Sequence, residues 1–276
     1  MGQMRRRILA VVLMTVTPAA AETTVRFTNA EGVTIQARLL LPHGAGPFPA
    51  VVALHGCGGS SNSRGELMRR DRDWAARWVG QGQAVLLPDS FGSRGLGSQC
   101  GVADRQVRPG RERVSDVEAA RAFLQGRADI RPDRISLVGW SNGGSTVLYA
   151  LSSRRRPGDG RPDFHQAIAF YPGCRTPLAR GLAPRRPLTI LIGEADNWTP
   201  VGPCRDFAAM ARAAGTRVDL VTYPGAFHGF DDPASRPRER SGLAYTADGS
   251  GRAMVGTDPV ARADAIGRVG TLLSQP

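Results

Sequence analysis

Gly139-Trp140-Ser141-Asn142-Gly143 sets a serine in a Gly-x-Ser-x-Gly frame between a strand-like run and a helix-like run. Upstream, Arg134 to Val138 contributes Ile135, Leu137 and Val138, the apolar and β-favouring content of a buried parallel strand. Downstream, the sequence from Ser141 to Leu151 reads as a helix that begins at the serine itself. A sharp turn between two such elements forces the serine into strained backbone. Flanking glycines are then required, because a β-carbon would collide with the neighbouring strand or helix. The hydroxyl is left at a helix N-terminus, where free N–H groups and partial positive charge favour a developing oxyanion. A five-residue frame of this kind also arises by chance around an incidental serine, so its partners decide the matter.

A serine hydroxyl is a weak nucleophile at neutral pH and needs a base, which in turn needs an orienting group. The chain has four histidines, His43, His55, His165 and His228. His228 lies just past the β-like run Val218 to Tyr223, where a loop at a strand's C-terminal edge presents its side chain. His43 sits in a Pro-His-Gly turn and His165 precedes a strand, which suit surface or packing roles. The acid comes from Leu188 to Pro200, a buried strand ending at Gly193 followed by a loop that carries Asp196. An Asx-turn or helix N-cap role competes for Asp196, and Glu194 is the second-choice acid. The order Ser141, Asp196, His228 matches the α/β-hydrolase topology and differs from that of other serine hydrolase folds. One oxyanion donor is then the Asn142 N–H. The other comes from the glycine-rich loop His55-Gly56-Cys57-Gly58-Gly59 after the run Ala50 to Leu54, with Cys57 preferred and Gly58 the alternative. His55 is expected to anchor that loop.

These segments, together with Pro88 to Gly95, Tyr171-Pro172-Gly173-Cys174, Gly193 to Asp196 and Phe227-His228-Gly229-Phe230, resemble the dienelactone hydrolase family of α/β-hydrolases over most of the chain. The resemblance implies a nucleophile, acid and base at Ser141, Asp196 and His228, and no cofactor. The family's name-giving enzymes use a cysteine where this chain has Ser141. A hydroxyl, far less acidic than a thiol, leans more heavily on its base. A general carboxylic ester is therefore the expected substrate, rather than dienelactone itself.

Around this centre the sequence reads as an α/β fold, a mostly parallel sheet with helices on both faces. A hairpin-like start (24–27 and 33–41) precedes strands at 51–54, 84–87, 134–138, 166–170, 188–192 and 218–223. Helices fall near 65–81, 111–125, 204–214 and 259–273, besides the one at the serine. Residues 1–21 have the layout of a secretory signal peptide: Arg5-Arg6-Arg7, the apolar run Ile8 to Val16, and small residues before a cleavage expected after Ala21. Residues 22–276 then form a single domain in the periplasm or beyond, with no stable membrane insertion.

Export permits disulfides, and the mature chain keeps all four cysteines. Cys174 and Cys204 fall on adjacent connections at one sheet edge and are expected to pair, which leaves Cys57 with Cys100. No metal-ligand spacing is visible. The formal charge of +12 comes from 36 basic residues that are all arginine, dispersed over loops and helices. That pattern argues against a nucleic-acid module, while attraction to acidic substrates stays open. Arg94 is expected either to face the pocket and fork onto a substrate carboxylate, or to brace its loop through Asp89 or Asp104. Asp231 to Asp258, rich in Gly, Pro, Ser and Arg, is either an active-site border or a disordered insertion, with the insertion favoured. The function expected is a secreted serine ester hydrolase acting on a small-molecule ester. The alternatives are a non-catalytic binding protein on the same fold and a peptidase or polyester depolymerase; oligomeric state is left open.

Overall fold

A computed structural model describes residues 21–155 and 157–275. The expected leader lies outside the described residues except for Ala21, where the first strand begins.

The chain runs β1 (Ala21–Thr28), β2 (Thr34–Leu41), β3 (Phe48–Leu54), α1 (Arg69–Gly80), β4 (Ala84–Pro88), α2 (Glu112–Gln125), β5 (Ile130–Trp140) and α3 (Asn142–Ala150). It continues through β6 (Ala167–Phe170), α4 (Arg175–Ala179), β7 (Leu188–Gly193), α5 (Val201–Ala213), β8 (Val218–Tyr223), β9 (Arg238–Arg240), β10 (Ala253–Val255) and α6 (Pro259–Ser274). Eight strands form one sheet in the order β1-β2-β4-β3-β5-β6-β7-β8. The β1–β2 and β2–β4 pairings are antiparallel and all others in this sheet are parallel. The α/β-hydrolase architecture read from the sequence is therefore the observed one.

The strand order decides where a site can form. The chain leaves β3 toward β4 on one side and returns to β5 on the other, so the crevice outside the C-terminal ends of β3 and β5 is a topological switch point. The glycine-rich loop follows β3 and Ser141 follows β5, which brings them to the two lips of that crevice. Helix α1 shows how the sheet is covered. Its buried residues, Asp71, Trp74, Ala75, Trp78 and Val79, recur at helical spacing and form one inward stripe. Trp78 stacks on Trp140 at 5.9 Å between ring centroids, and Trp74 meets Phe170 at 5.3 Å. The end of β5 is thus wedged by aromatic packing immediately before Ser141.

Two expectations change. Helix α3 begins at Asn142 rather than Ser141, because Ser141 has φ +52° and ψ −112°, which no helix accommodates. The segment Asp231 to Asp258, favoured as a disordered insertion, is folded. Within it β9 and β10 pair as a short antiparallel ribbon, and His228 bridges to Val255. The segment ends at Asp258, whose side chain caps α6 by accepting from the N–H groups of Val260 and Ala261 at 3.0 and 2.9 Å.

The elbow requires glycine for a steric reason visible at two positions. A β-carbon on Gly143 would overlap the Leu54 carbonyl oxygen and lie 2.7 Å from that of His55, and one on Gly139 would overlap the carbonyl of Gly143. All of these obstacles are backbone. Gly143→Ala should therefore cost about 3 kcal/mol or more, read by thermal denaturation as a fall in Tm of roughly 6–12 °C.

Candidate active site

Ser141 stands at the end of β5 with its N–H donated to the Phe170 carbonyl at 2.9 Å, which ties the elbow to β6. Its Oγ lies 2.9 Å from His228 Nε2, and His228 Nδ1 lies 2.7 Å from Asp196 Oδ2. The three side chains expected to act together are thus brought into one hydrogen-bonded line. All three are buried: Ser141, Asp196 and His228 are 9%, 3% and 5% exposed.

Asp196 makes the contacts of both roles that competed for it. Its Oδ1 accepts from the N–H groups of Trp198 and Thr199 at 2.9 and 2.8 Å, an Asx turn that fixes the carboxylate and leaves Oδ2 for His228. The second-choice acid, Glu194, points outward and pairs with Arg205 at 2.6 Å. The Thr199 hydroxyl completes the arrangement, 3.0 Å from Asp196 Oδ2, 3.0 Å from the Tyr171 carbonyl and 3.1 Å from His228 Nδ1. With one proton to give, it donates to one of those oxygens and turns a lone pair toward the imidazole N–H.

The Cys57 and Asn142 N–H groups donate to no other group among the described residues, and the same holds for Gly58. Their loop is clamped by the Cys57–Cys100 disulfide, and the second expected pair, Cys174–Cys204, is also formed. His55 anchors the loop. Its Nδ1–H donates to the Gly56 carbonyl at 2.8 Å, and Nε2 accepts the Ser90 N–H at 3.2 Å. Burial first, and the Arg113 charge second, hold its pKa well below the ordinary value, so the imidazole is neutral and free to accept.

A second network lies beneath His228, and sequence reading missed it. Asp231, fully buried, accepts from Trp74 Nε1 and Trp140 Nε1 at 2.8 Å each and from the Tyr171 hydroxyl at 2.6 Å. Tyr171 and Trp198 flank the His228 ring at 4.5 and 4.7 Å. Burial and the Asp231 charge push the Tyr171 phenol well above its usual value, so it stays a donor. Asp231 therefore pins the loop that carries His228 onto α1, β5 and the residue after β6. Only its place three residues past His228 could have drawn notice to it.

Arg94 needs correction as a pocket residue. Its guanidinium forks onto Asp116 with two 2.9 Å bonds and donates to the Ser90 carbonyl at 2.8 Å, so it lines neither cavity at Ser141. Its partner is also neither Asp89 nor Asp104. Asp89 turns back to accept the Phe91 and Gly92 N–H groups, while Asp116 projects from α2 to meet Arg94 and Asn29.

Ser141, Cys57 and Trp198 are shared by two cavities, of about 780 Å³ and about 520 Å³. On the larger, Arg105, Arg155, Arg175 and Arg180 pair with no carboxylate among the described residues, whereas Arg108 and Arg111 share Glu112. The Asp231 to Asp258 segment contributes to both walls, through Tyr245 on one and Arg240 on the other. Among the described residues no group of three or more His, Cys, Asp or Glu side chains converges as a metal cluster. No described helix is long and apolar enough to cross a membrane.

The sequence profile of the dienelactone hydrolase family matches residues 35–275. The chain belongs to the dienelactone hydrolase family. Similar to this family member is a protein of Methylorubrum extorquens provisionally named a carboxymethylenebutenolidase, 27% identical over 260 residues that cover 82% of this chain and 84% of that one. Among solved structures, a dienelactone hydrolase-like promiscuous phosphotriesterase from metagenomic libraries superposes with a TM-score of 0.70 at 17% identity, covering 93% of this chain and 98% of the other. Esterase 2 of Thermogutta terrifontis follows at 0.65 and 20% identity, covering 94% and 97%. Family membership makes the protein a hydrolase of esters or lactones with a small-molecule substrate.

His55 makes the stability of the fold depend on pH. Its neutral form is favoured by folding, so the associated stability is complete above the ordinary value of about 6.5 and is lost as pH falls toward the lowered one. Between pH 7 and 5, Tm should fall with decreasing pH, the His55 component contributing at most about 1.4 kcal/mol per pH unit. His55→Gln should show a shallower slope over that range in the same thermal scans.

Proposed function

We propose that this protein is an exported serine hydrolase that cleaves carboxylic esters through an acyl-enzyme. The observation that carries the reading is the unbroken line Ser141 Oγ, His228, Asp196, with spacings of 2.9 and 2.7 Å.

His228 Nε2 takes the Ser141 proton as Oγ adds to the ester carbonyl, and the resulting oxyanion turns toward the Cys57 and Asn142 N–H groups. Asp196 keeps the Nδ1–H tautomer and offsets the charge that the imidazole gains. Collapse breaks the bond to the leaving oxygen, which receives the proton from His228, and the alcohol departs. Water, deprotonated by the same nitrogen, then attacks the acyl carbonyl and releases the acid and Ser141. A lactone is an internal ester and opens by the same steps, its alcohol remaining tethered to the acyl group. The two cavities that share Ser141 offer the acyl and alcohol portions separate space, and the unpaired guanidiniums favour esters that carry an acidic group.

Export rests on the basic, apolar and small-residue layout of residues 1–21, with cleavage after Ala21. The two disulfides suit an oxidising compartment.

Mature protein should hydrolyse short-chain aryl esters and be labelled by a fluorophosphonate, while Ser141→Ala should lose labelling and at least about 10⁴-fold in kcat. Labelling that persists in Ser141→Ala would assign the nucleophile elsewhere. In a panel of esters, lactones and amides, carboxylated esters should exceed their neutral counterparts in kcat/KM at low ionic strength. That advantage should shrink several-fold between 0.05 and 0.5 M salt; an unchanged ratio would remove the electrostatic contribution.

A further inference from the structure

Arg113, the second residue of α2, is 1% exposed. The other arginine buried to this degree, Arg121, is compensated by Glu118 and Asp159 at 3.1 and 3.0 Å. Arg113 makes no such ion pair among the described residues. Its Nη1 donates to Asn142 Oδ1 at 2.5 Å and its Nη2 to the His55 carbonyl at 2.9 Å. The guanidinium carbon stands 5.2 Å from the Phe91 ring centroid, and Nε has no partner. Burial lowers its pKa to about 10, which still leaves the group charged at neutral pH. Asp116 and Asp89 act on it only at longer range, and a cation buried without a direct ion pair is destabilising, so its placement calls for a reason.

The two groups it grips supply one. Asn142 directly follows Ser141, and His55 lies two residues before Cys57. A single guanidinium therefore joins the two segments that carry the N–H groups assigned above to the oxyanion. The two segments follow the neighbouring strands β3 and β5, with Leu54 paired to Gly139. The Gly143 backbone is packed against the Leu54 and His55 carbonyls, so a shift in one segment displaces the other.

We propose that Arg113 is a positioning residue for the oxyanion hole: it fixes the spacing of the Cys57 and Asn142 N–H groups, and its charge, bound in no direct ion pair, stabilises the anion that develops in front of them. This rests on the serine hydrolase reading above. The charge acts from a buried position, where a fixed cation is worth more than in water and needs no reorganisation during reaction. Its effect falls on the tetrahedral species, which carries negative charge, far more than on the neutral ester. The signature is therefore a loss in kcat with KM little changed.

The test compares Arg113→Met, which removes the charge at similar length, with Arg113→Lys, which keeps charge without the fork. It also includes Asn142→Ala, which keeps the backbone N–H and the cation while cutting one arm. Each is assayed for kcat and KM on a short-chain aryl ester, for fluorophosphonate labelling rate, and for affinity to a trifluoromethyl ketone. Ser141 Oγ adds to that ketone, its proton passing to His228, to leave a bound alkoxide. Arg113→Met should lose about 10²-fold in kcat and a comparable factor in ketone affinity, with KM within about threefold. Arg113→Lys should recover part of the loss, and Asn142→Ala should lose less than Arg113→Met. If Arg113→Met fails to fold, the other two variants carry the comparison. Ketone affinity and kcat within twofold of wild type in the variants that fold, or KM rising in step with any loss, overturns the proposal. A wild-type protein inert to the fluorophosphonate overturns the hydrolase reading, and this inference with it; normal wild-type labelling with equally fast labelling of the variants overturns this inference alone.

Discussion

The site depends on a contact between two stretches of backbone with nothing in between. Gly143, in the first turn of α3, lies against the carbonyl oxygens of Leu54 and His55 at the end of β3, and Gly139 lies against the carbonyl of Gly143. That closeness places the glycine-rich loop beside the elbow and keeps Ser141 in the left-handed region at φ +52°. The strain costs on the order of 1–3 kcal/mol and persists only because the surroundings over-determine it. Trp140, stacked on Trp78 and Phe170, holds the residue before the serine, while the Phe170 carbonyl holds its N–H.

From that contact the remaining chemistry is assembled at one edge of the sheet. β7 ends in the Asx turn of Asp196, and β8 leads into the loop of His228. Asp231 then ties that loop back to the tryptophans of α1 and β5. The imidazole is fixed from three directions, by Asp196 along its edge and by Tyr171 and Trp198 on its faces. Such a ring has little rotational freedom left.

The features that were legible in the sequence are those carried by local chemistry. Gly139 to Gly143 announced the elbow through residue size, strand–helix alternation gave the parallel sheet, and chain order led to His228 and Asp196. The pairing of Cys174 with Cys204 followed from two connections sharing an edge, and it stands in the structure. What escaped reading depends on distance in space without a signature in sequence. Arg113 reaches His55 across 58 residues and Asp231 reaches Trp74 across 157. A lone arginine or aspartate in a chain full of both gives no sign of being buried. Arg94 misled for a related reason: the partner that captured it, Asp116, is also bonded to Asn29 from the β1–β2 turn, and no local pattern links the three. The stretch from Asp231 to Asp258 looked loose by composition, yet a buried carboxylate at one end and a helix cap at the other hold it.

The two disulfides have a consequence for how the molecule comes apart. Both lie on the rim where the strands deliver the site, one joining the loop after β3 to Cys100 and the other joining the loop after β6 to α5. No crosslink restrains the opposite side of the sheet, where the edge strand β1 pairs with β2 alone and packs on α2 through Phe27 and Phe123. Fraying is cheapest where contacts are fewest and the chain is unlinked. Of the strands on that side, β1 is thus the one expected to open before β2, and its amides to exchange faster than those of β2. The stapled rim is expected to keep its geometry until the sheet itself gives way, so that loss of the site on heating should coincide with global unfolding rather than precede it.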